Sequence, residues 1–411
     1  MNGKLNISNL LITLLIFLIA SYSARADIAY YDYSSAKLNL AAVLLSDGSL
    51  YAVELGLLTA SNADDNLAFN IDSLSPTSNQ STTSSFDLES LLLTIPTVNV
   101  GDAFYSASLL LSESNTLSLQ SLEKTGPFIT QGRATTQSTN LLADCAGARV
   151  SGVGSITSQD GTSFSVPAEN NFSSGPKATD LYNDCTGVKL NSINELDLDA
   201  VPIVEIDADG DVVSGYIFAD NYFELYINGV LVAVDPVPFT PFNSSVVRFK
   251  VKKPYTYAVK LVDWEENLGL GSEENRGNAY HAGDGGFIAT FSDGINTDAR
   301  WKAQTFYIAP LQTANEIQEL ADGTHSSVAS SSSPSCTENC YAIHYNIPSN
   351  WHGENYNDAD WPQASTYSND TVGVDNKPSF TNFATQFGTA EFIWSSNLVL
   401  DNLVLVRITV E

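Results

Sequence analysis

From Tyr30 onward the chain alternates short apolar runs with polar turns, the pattern of strands. "YYDYSSAKLNLAAVLLSDGSLYAVELGLLTA" (30–60) is a strand, an Asp-Gly turn, and a second strand with alternating apolar positions. "SFDLESLLLTIPTVNVGDAFYSASLLLSES" (85–114) repeats the plan, so that Leu38 meets Leu92, Tyr51 meets Tyr105 and Leu55 meets Leu109. Two hairpin copies predict a small β-sandwich or a packed hairpin pair over 27–125, a structural module. The Ser-, Thr-, Asn- and Asp-rich stretch 61–84 is a loop within it. From 126 to 200 the sequence turns glycine- and serine-rich and shows little helical period, which predicts a β linker subdomain tied by a disulfide. Beyond 201 the strands sharpen. "YFELYINGVLVAVD" is a hairpin closed at Asn228-Gly229, and "VVRFKVKKPYTYAVKLVDW", "GGFIATFSDG" and "WKAQTFYIA" follow. A Ser- and Cys-rich insertion at about 312–341 interrupts this region, and "AEFIWSSNLVLDNLVLVRITV" is apolar enough to close its core. The fold class is therefore all-β.

The order of motifs in 204–411 resembles the galactose-binding-like β-sandwich, a jelly-roll module found on secreted proteins. The resemblance rests on Asn228-Gly229 in "YINGVLV", on Trp351 with "YNDADWP" (356–362), and on "FIW" (392–394). It implies a C-terminal jelly roll over 201–411 that binds sugars or other ligands, or that buttresses a neighbouring domain, with Trp361 packed in the sandwich. The chain departs from the family at Asn357, Asp358, Ala359 and Asp360, where two adjacent acids and a small residue are usual. It departs also in the long 263–287 loop and in the insertion before Ala342.

The first 26 residues have the plan of a secretory signal peptide: Lys4, an apolar core, and Ala24 and Ala26 around Arg25. Cleavage is expected near Ala26, with a secreted, periplasmic or extracellular product and no membrane span. Lys4 and Arg25 are its only charged residues, so its loss moves the formal charge from −29 to −31. Nucleic acid and anionic lipid are poor partners for so acidic a chain; cations are better ones. With Met1 the single methionine and only four histidines, soft-metal sites are short of ligands, and calcium is the candidate cofactor. Cys145, Cys185, Cys336 and Cys340 predict two disulfides in an exported chain. Cys145–Cys185 and Cys336–Cys340 is the expected pairing, other pairings staying open; a zinc site lacks a second CxxC or a His pair.

Candidate chemistry concentrates in "DWEENLGLGSEENRGNAYHAGDGGF" (263–287). A loop this long in a β domain is usually functional, and its glycines let backbone fold closely about a ligand. Trp264, Glu265, Glu266, Tyr280, His281 and Asp284 are the expected ligand contacts, Trp264 or Tyr280 stacking on a sugar ring. Glu265, Glu266 and Asp284 are the expected calcium ligands. Asp207, Asp209 and Asp211 form a weaker metal candidate; Val212 and Phe218 occupy the positions where an EF-hand needs glycine and a bidentate acid. His325, His344 and His352 read as surface residues. The chain lacks HExxH, G-x-S-x-G, a phosphate-binding glycine motif and a nucleophilic cysteine context, so no catalytic residue is expected. These observations point to a secreted binding protein for carbohydrate or a cell-surface glycan. The alternatives are a structural or adhesive surface protein, and an accessory part of a polysaccharide-degrading enzyme.

Overall fold

The computed structural model describes residues 29–58, 67–78, 84–101, 103–138, 140–314, 318–319, 325–327 and 338–411. The expected leader, Cys336 and most of the Ser-rich insertion lie outside them. The architecture is all-β; among the described residues the α-helices are single turns of four residues. Among the described residues no helix is long and apolar enough to cross a membrane. The chain divides into two compact units, one essentially 1–126 and the other essentially 127–411.

The first unit is eight strands in two meanders: β1 (Ala29–Asp32), β2 (Lys37–Leu45), β3 (Leu50–Leu57) and β4 (Ala68–Pro76), then β5 (Ser84–Asp87), β6 (Leu92–Val100), β7 (Ala103–Leu111) and β8 (Thr116–Gly126). β4 pairs with β8, and the sheet closes on itself because β1 lies parallel to β6 and β5 parallel to β2. Matching pairs, Ala29 with Val98 and Ser84 with Val43, give the barrel a pseudo-twofold axis. Inward-facing Leu40, Val53, Leu55, Ile95 and Leu109 fill it.

The repeat predicted from sequence is present with one shift. Asp32 and Asp87 cap equivalent turns through Ser35 and Ser90. Equivalent register breaks fall between Leu40 and Val43 and between Ile95 and Val98. Leu38 therefore corresponds to Leu93, not to Leu92, whereas Tyr51 and Tyr105, and Leu55 and Leu109, correspond as expected. The difference arises at the tip, where the second hairpin's connection is shorter than the Asp47-Gly48 turn of the first.

The second unit is a β-sandwich. One sheet runs, in order, Val188–Lys189, Thr179–Asn183, Ser244–Val251, Asp211–Asp220, Gly286–Phe291, Phe392–Trp394 and Ser365–Tyr367, with Ile203–Glu205 added in parallel. The other runs Val230–Val234, Tyr222–Ile227, Tyr255–Val262, Asp401–Val410, Lys302–Leu311, Tyr341–His344 and Phe128–Gln131. Asn228 and Gly229 both take positive φ, 48° and 84°, in the two-residue turn between Ile227 and Val230.

Between the sheets, Phe223, Leu225, Val259 and Val404 meet Ile217, Phe249 and Phe287. The alternate residues of the second sheet are buried as well, because Ile156, Val166 and Phe172 and the segment around Trp351 pack over its outer face. Segment 127–200 thus belongs to the sandwich unit and supplies both an edge strand and this cover. Cys145 and Cys185 are joined as expected, and Cys340 is disulfide-bonded.

Candidate functional site

The 263–287 loop leaves the fully buried strand Tyr255–Val262 and is held in place from its first residue. The Asp263 N–H donates to the Asn402 carbonyl at 2.9 Å, and the Trp264 N–H donates to Asn221 Oδ1 at 2.6 Å. Trp264 is 1% exposed; its indole N–H donates to the Gly152 carbonyl at 3.0 Å, and its ring meets Tyr222 edge-on. The expected role of Trp264 as a sugar-stacking platform is thereby corrected: the cover contributed by 127–200 makes it core.

Glu265 is 3% exposed and accepts hydrogen bonds from the Gly269 and Gly271 N–H groups and the Tyr307 hydroxyl. Burial pushes its carboxyl up to about 7. Burial would raise Glu266 too, but Arg149 at 3.0 Å and the N–H groups of Glu274 and Asn275 hold it below the usual range. Both glutamates build the loop and have little left to offer an ion. Arg149 also pairs with Glu273, whose other oxygen lies 2.9 Å from His281 Nε2. Arg133 reaches Asn267 and the Tyr280 hydroxyl and lies 5.4 Å from the Tyr280 ring centre.

A group of carboxylates gathers beneath this scaffold. Burial raises Asp220 well above its ordinary value, and Asp284, Asp263 and Glu273 raise it further. Asp263 is raised by burial and then by Glu273, Asp284 and Glu265, with Arg149 opposing. Asp284 is pushed to about 6 by burial and Glu273, against Lys377 and His281. The Asp263 carboxylate passes so close to Gly283 that a Cβ there would stand 2.9 Å from its oxygens. Asn402 lines the same crevice as Asp263, Glu273 and Gly283 and is 1% exposed. Its amide nitrogen donates to the Ala309 carbonyl, while its Oδ1 has no hydrogen-bond partner. The crevice is closed even to a water molecule as it stands, so a sugar ring must sit on the loop's outer face. Among the described residues no three His, Cys, Asp or Glu side chains form a ready metal cage.

Of the six expected contacts, Tyr280, His281 and Asp284 remain partly exposed on the loop, while Trp264 and Glu265 are buried and Glu266 is engaged by Arg149. The weaker candidates Asp207, Asp209 and Asp211 do not assemble. Asp207 accepts from the Lys252 N–H, Asp209 pairs with the Lys252 ammonium, and Asp211 starts a strand opposite Val251. The histidines expected at the surface are also corrected. His344 is buried between Tyr307 and Phe164, which holds it neutral with a pKa near 3. His325 stacks on Tyr345, with burial pushing it to about 4, and His352 stacks on Tyr226. Trp361 packs against Phe306 and Tyr356, in the cluster on the outer face of the second sheet.

Sequence reasoning missed Asp220, Asp263 and Asn402 as site members; Glu273 was visible as one of the loop's carboxylates. Asp220 had a visible signal: a carboxylate inside the apolar run "GYIFADNYFELYI" must be paired, neutral or ion-bound once buried. No family model, no curated protein and no solved structure matches the chain.

Proposed function

We propose that the protein is an exported, calcium-dependent binding protein whose C-terminal sandwich takes carbohydrate on the outer face of the 263–287 loop. The observation that carries this reading is the group of mutually repelling carboxylates Asp220, Asp263, Glu273 and Asp284, together with Asn402, whose Oδ1 has no hydrogen-bond partner and which lines the crevice with Asp263 and Glu273. Buried carboxylates repel one another unless some stay protonated, and a divalent cation replaces those protons. Calcium takes six to eight oxygens from carboxylates, amide carbonyls and water. Asp263 and Asn402 offer oxygens of the right kinds at the crevice, with Asp284 nearer the surface, while Glu273 is held by Arg149 and His281. The acidity of the whole chain favours cations in the same direction. The part-exposed Tyr280, with Arg133 5.4 Å from its ring centre, lies in the same loop as exposed Asn275 and Asn278 and part-exposed His281, an aromatic side chain near groups that hydrogen-bond hydroxyls.

The test is thermal unfolding in EDTA and then in calcium, followed by a glycan panel in calcium. At a hundredfold excess over its dissociation constant, calcium stabilises the folded state by about 2.7 kcal/mol. Asp263→Asn with Asp284→Asn abolishes the response, and Tyr280→Ala removes the retained glycan. An unchanged melting temperature together with an empty panel would sink the proposal. A second reading, a structural or adhesive surface protein, is favoured by exposed Leu44, Ile71, Leu74 and Leu88 on the first unit. It predicts concentration-dependent assembly in sedimentation and no glycan signal.

A further inference from the structure

The N-terminal barrel is symmetric in backbone but not in filling. Val53 pairs with Leu74 across β3 and β4, and Ala107 pairs with Leu122 across β7 and β8. Ala107 therefore stands where the first copy has valine, and it lines a cavity of about 90 Å³ in that half of the barrel. The cavity has an open mouth and an apolar wall. Four rings contribute to it, those of Tyr31, Tyr33, Tyr105 and Phe69, and no charged side chain does. Tyr31 and Tyr33 meet edge-to-face at 5.0 Å, and Tyr33, 43% exposed, is the lining residue most open to solvent. Burial, with Asp32 beside it, raises the Tyr31 hydroxyl's pKa, so the wall stays uncharged at neutral pH.

An apolar space of this kind holds no ordered water and lacks dispersion partners on its open side, so an apolar guest restores contacts that the protein cannot make itself. An apolar cavity of about 150 Å³ accepts benzene. A smaller one with an open mouth takes a single ring whose edge remains at the entrance. Aromatic walls favour aromatic guests through edge and offset-face contacts.

We propose that the half of the barrel around Ala107 is a binding site for a small uncharged aromatic molecule, one ring in size, admitted beside Tyr33. The site lies in the other unit from the carboxylate loop and is independent of it. The experiment is isothermal titration of the mature full chain with toluene and with indole. Saturable binding of at least one is expected. Ala107→Val, which copies the residue of the first repeat, weakens it roughly tenfold or more by occupying the space. Leu122→Trp blocks the same cavity from the neighbouring strand, and serves if the Ala107 variant does not fold; tyrosine near-UV dichroism reports folding of each. The proposal is overturned if neither compound binds the wild type, or if binding is unchanged in a folded variant of either kind.

Discussion

Asp284→Asn offers a direct measure of the electrostatic cost stored under the 263–287 loop. The influences on the Asp284 carboxyl are burial and charged neighbours: Glu273 raises its pKa, while Lys377 and His281 lower it. Its folded pKa is about 6 against 3.8 for the free side chain. Between those values the native state holds more protons than the unfolded chain, so stability falls as pH rises through the interval. A tenfold difference in proton affinity is worth about 1.36 kcal/mol, so the whole shift is worth about 3 kcal/mol; about 0.6 kcal/mol of it is already lost at pH 4, which leaves a loss of about 2.4 kcal/mol between pH 4 and pH 8. Asparagine cannot ionise and escapes that loss. In EDTA, the variant is therefore expected to gain about 2.4 kcal/mol on the wild type between pH 4 and pH 8. Urea denaturation at the two pH values measures this, and comparing differences cancels the titrating groups that do not interact with Asp284; relief of Asp220 and Asp263, which Asp284 also raises, adds to the gain in the same direction. Tryptophan fluorescence is the suitable signal, because Trp264, Trp301, Trp351, Trp361 and Trp394 all lie in the sandwich unit. A difference identical at both pH values, or one favouring the wild type at pH 8, would refute the assignment of burial and Glu273 as the dominant influences. It would make Lys377 and His281 the controlling neighbours.

Arg149→Leu strips the counter-charge from Glu266 and Glu273, both largely buried, and should destabilise the sandwich by roughly 3–5 kcal/mol at pH 8 in urea titrations. The Cys145–Cys185 disulfide spans 40 positions, so replacing both cysteines by alanine should cost about 4 kcal/mol through the unfolded state, seen as an earlier urea midpoint under otherwise identical conditions.

Local signals in the sequence carried far. The Asn228-Gly229 hairpin was legible because only a primed turn suits that pair, and the tandem repeat was legible because apolar alternation survives divergence. The register of its first strands was not, since one residue lost in a hairpin tip leaves every apolar identity intact while shifting its partner. The site was less legible for a different reason. "DWEEN" reads as the start of a polar loop, yet Trp264 and Glu265 are core, because residues 127–200 cover the outer face of the sheet from which they emerge. That cover is a contact across more than a hundred residues: Gly152 receives the Trp264 indole proton. Asp220, Asp263 and Asn402 converge from three strands distant in sequence, and no spacing rule joins them. The 263–287 loop itself was found because its length and glycine content are local properties.

The pseudo-twofold closure of the first unit bears on how the chain comes into being. The pairing of Ala29 with Val98 and of Ser84 with Val43 means that each meander offers the other the same strand edges it requires. During synthesis the first meander is complete once Pro76 has been added, but its closing strands end only at Gly126, about 50 residues later. At 5–20 residues per second that interval is roughly 3–10 s. For its duration the first meander has unpaired edges, and unpaired edges accept strands from other chains. Two nascent first meanders offer each other strand edges equivalent in position to those the closure uses, so this interval is when one copy of the protein is most exposed to pairing with another.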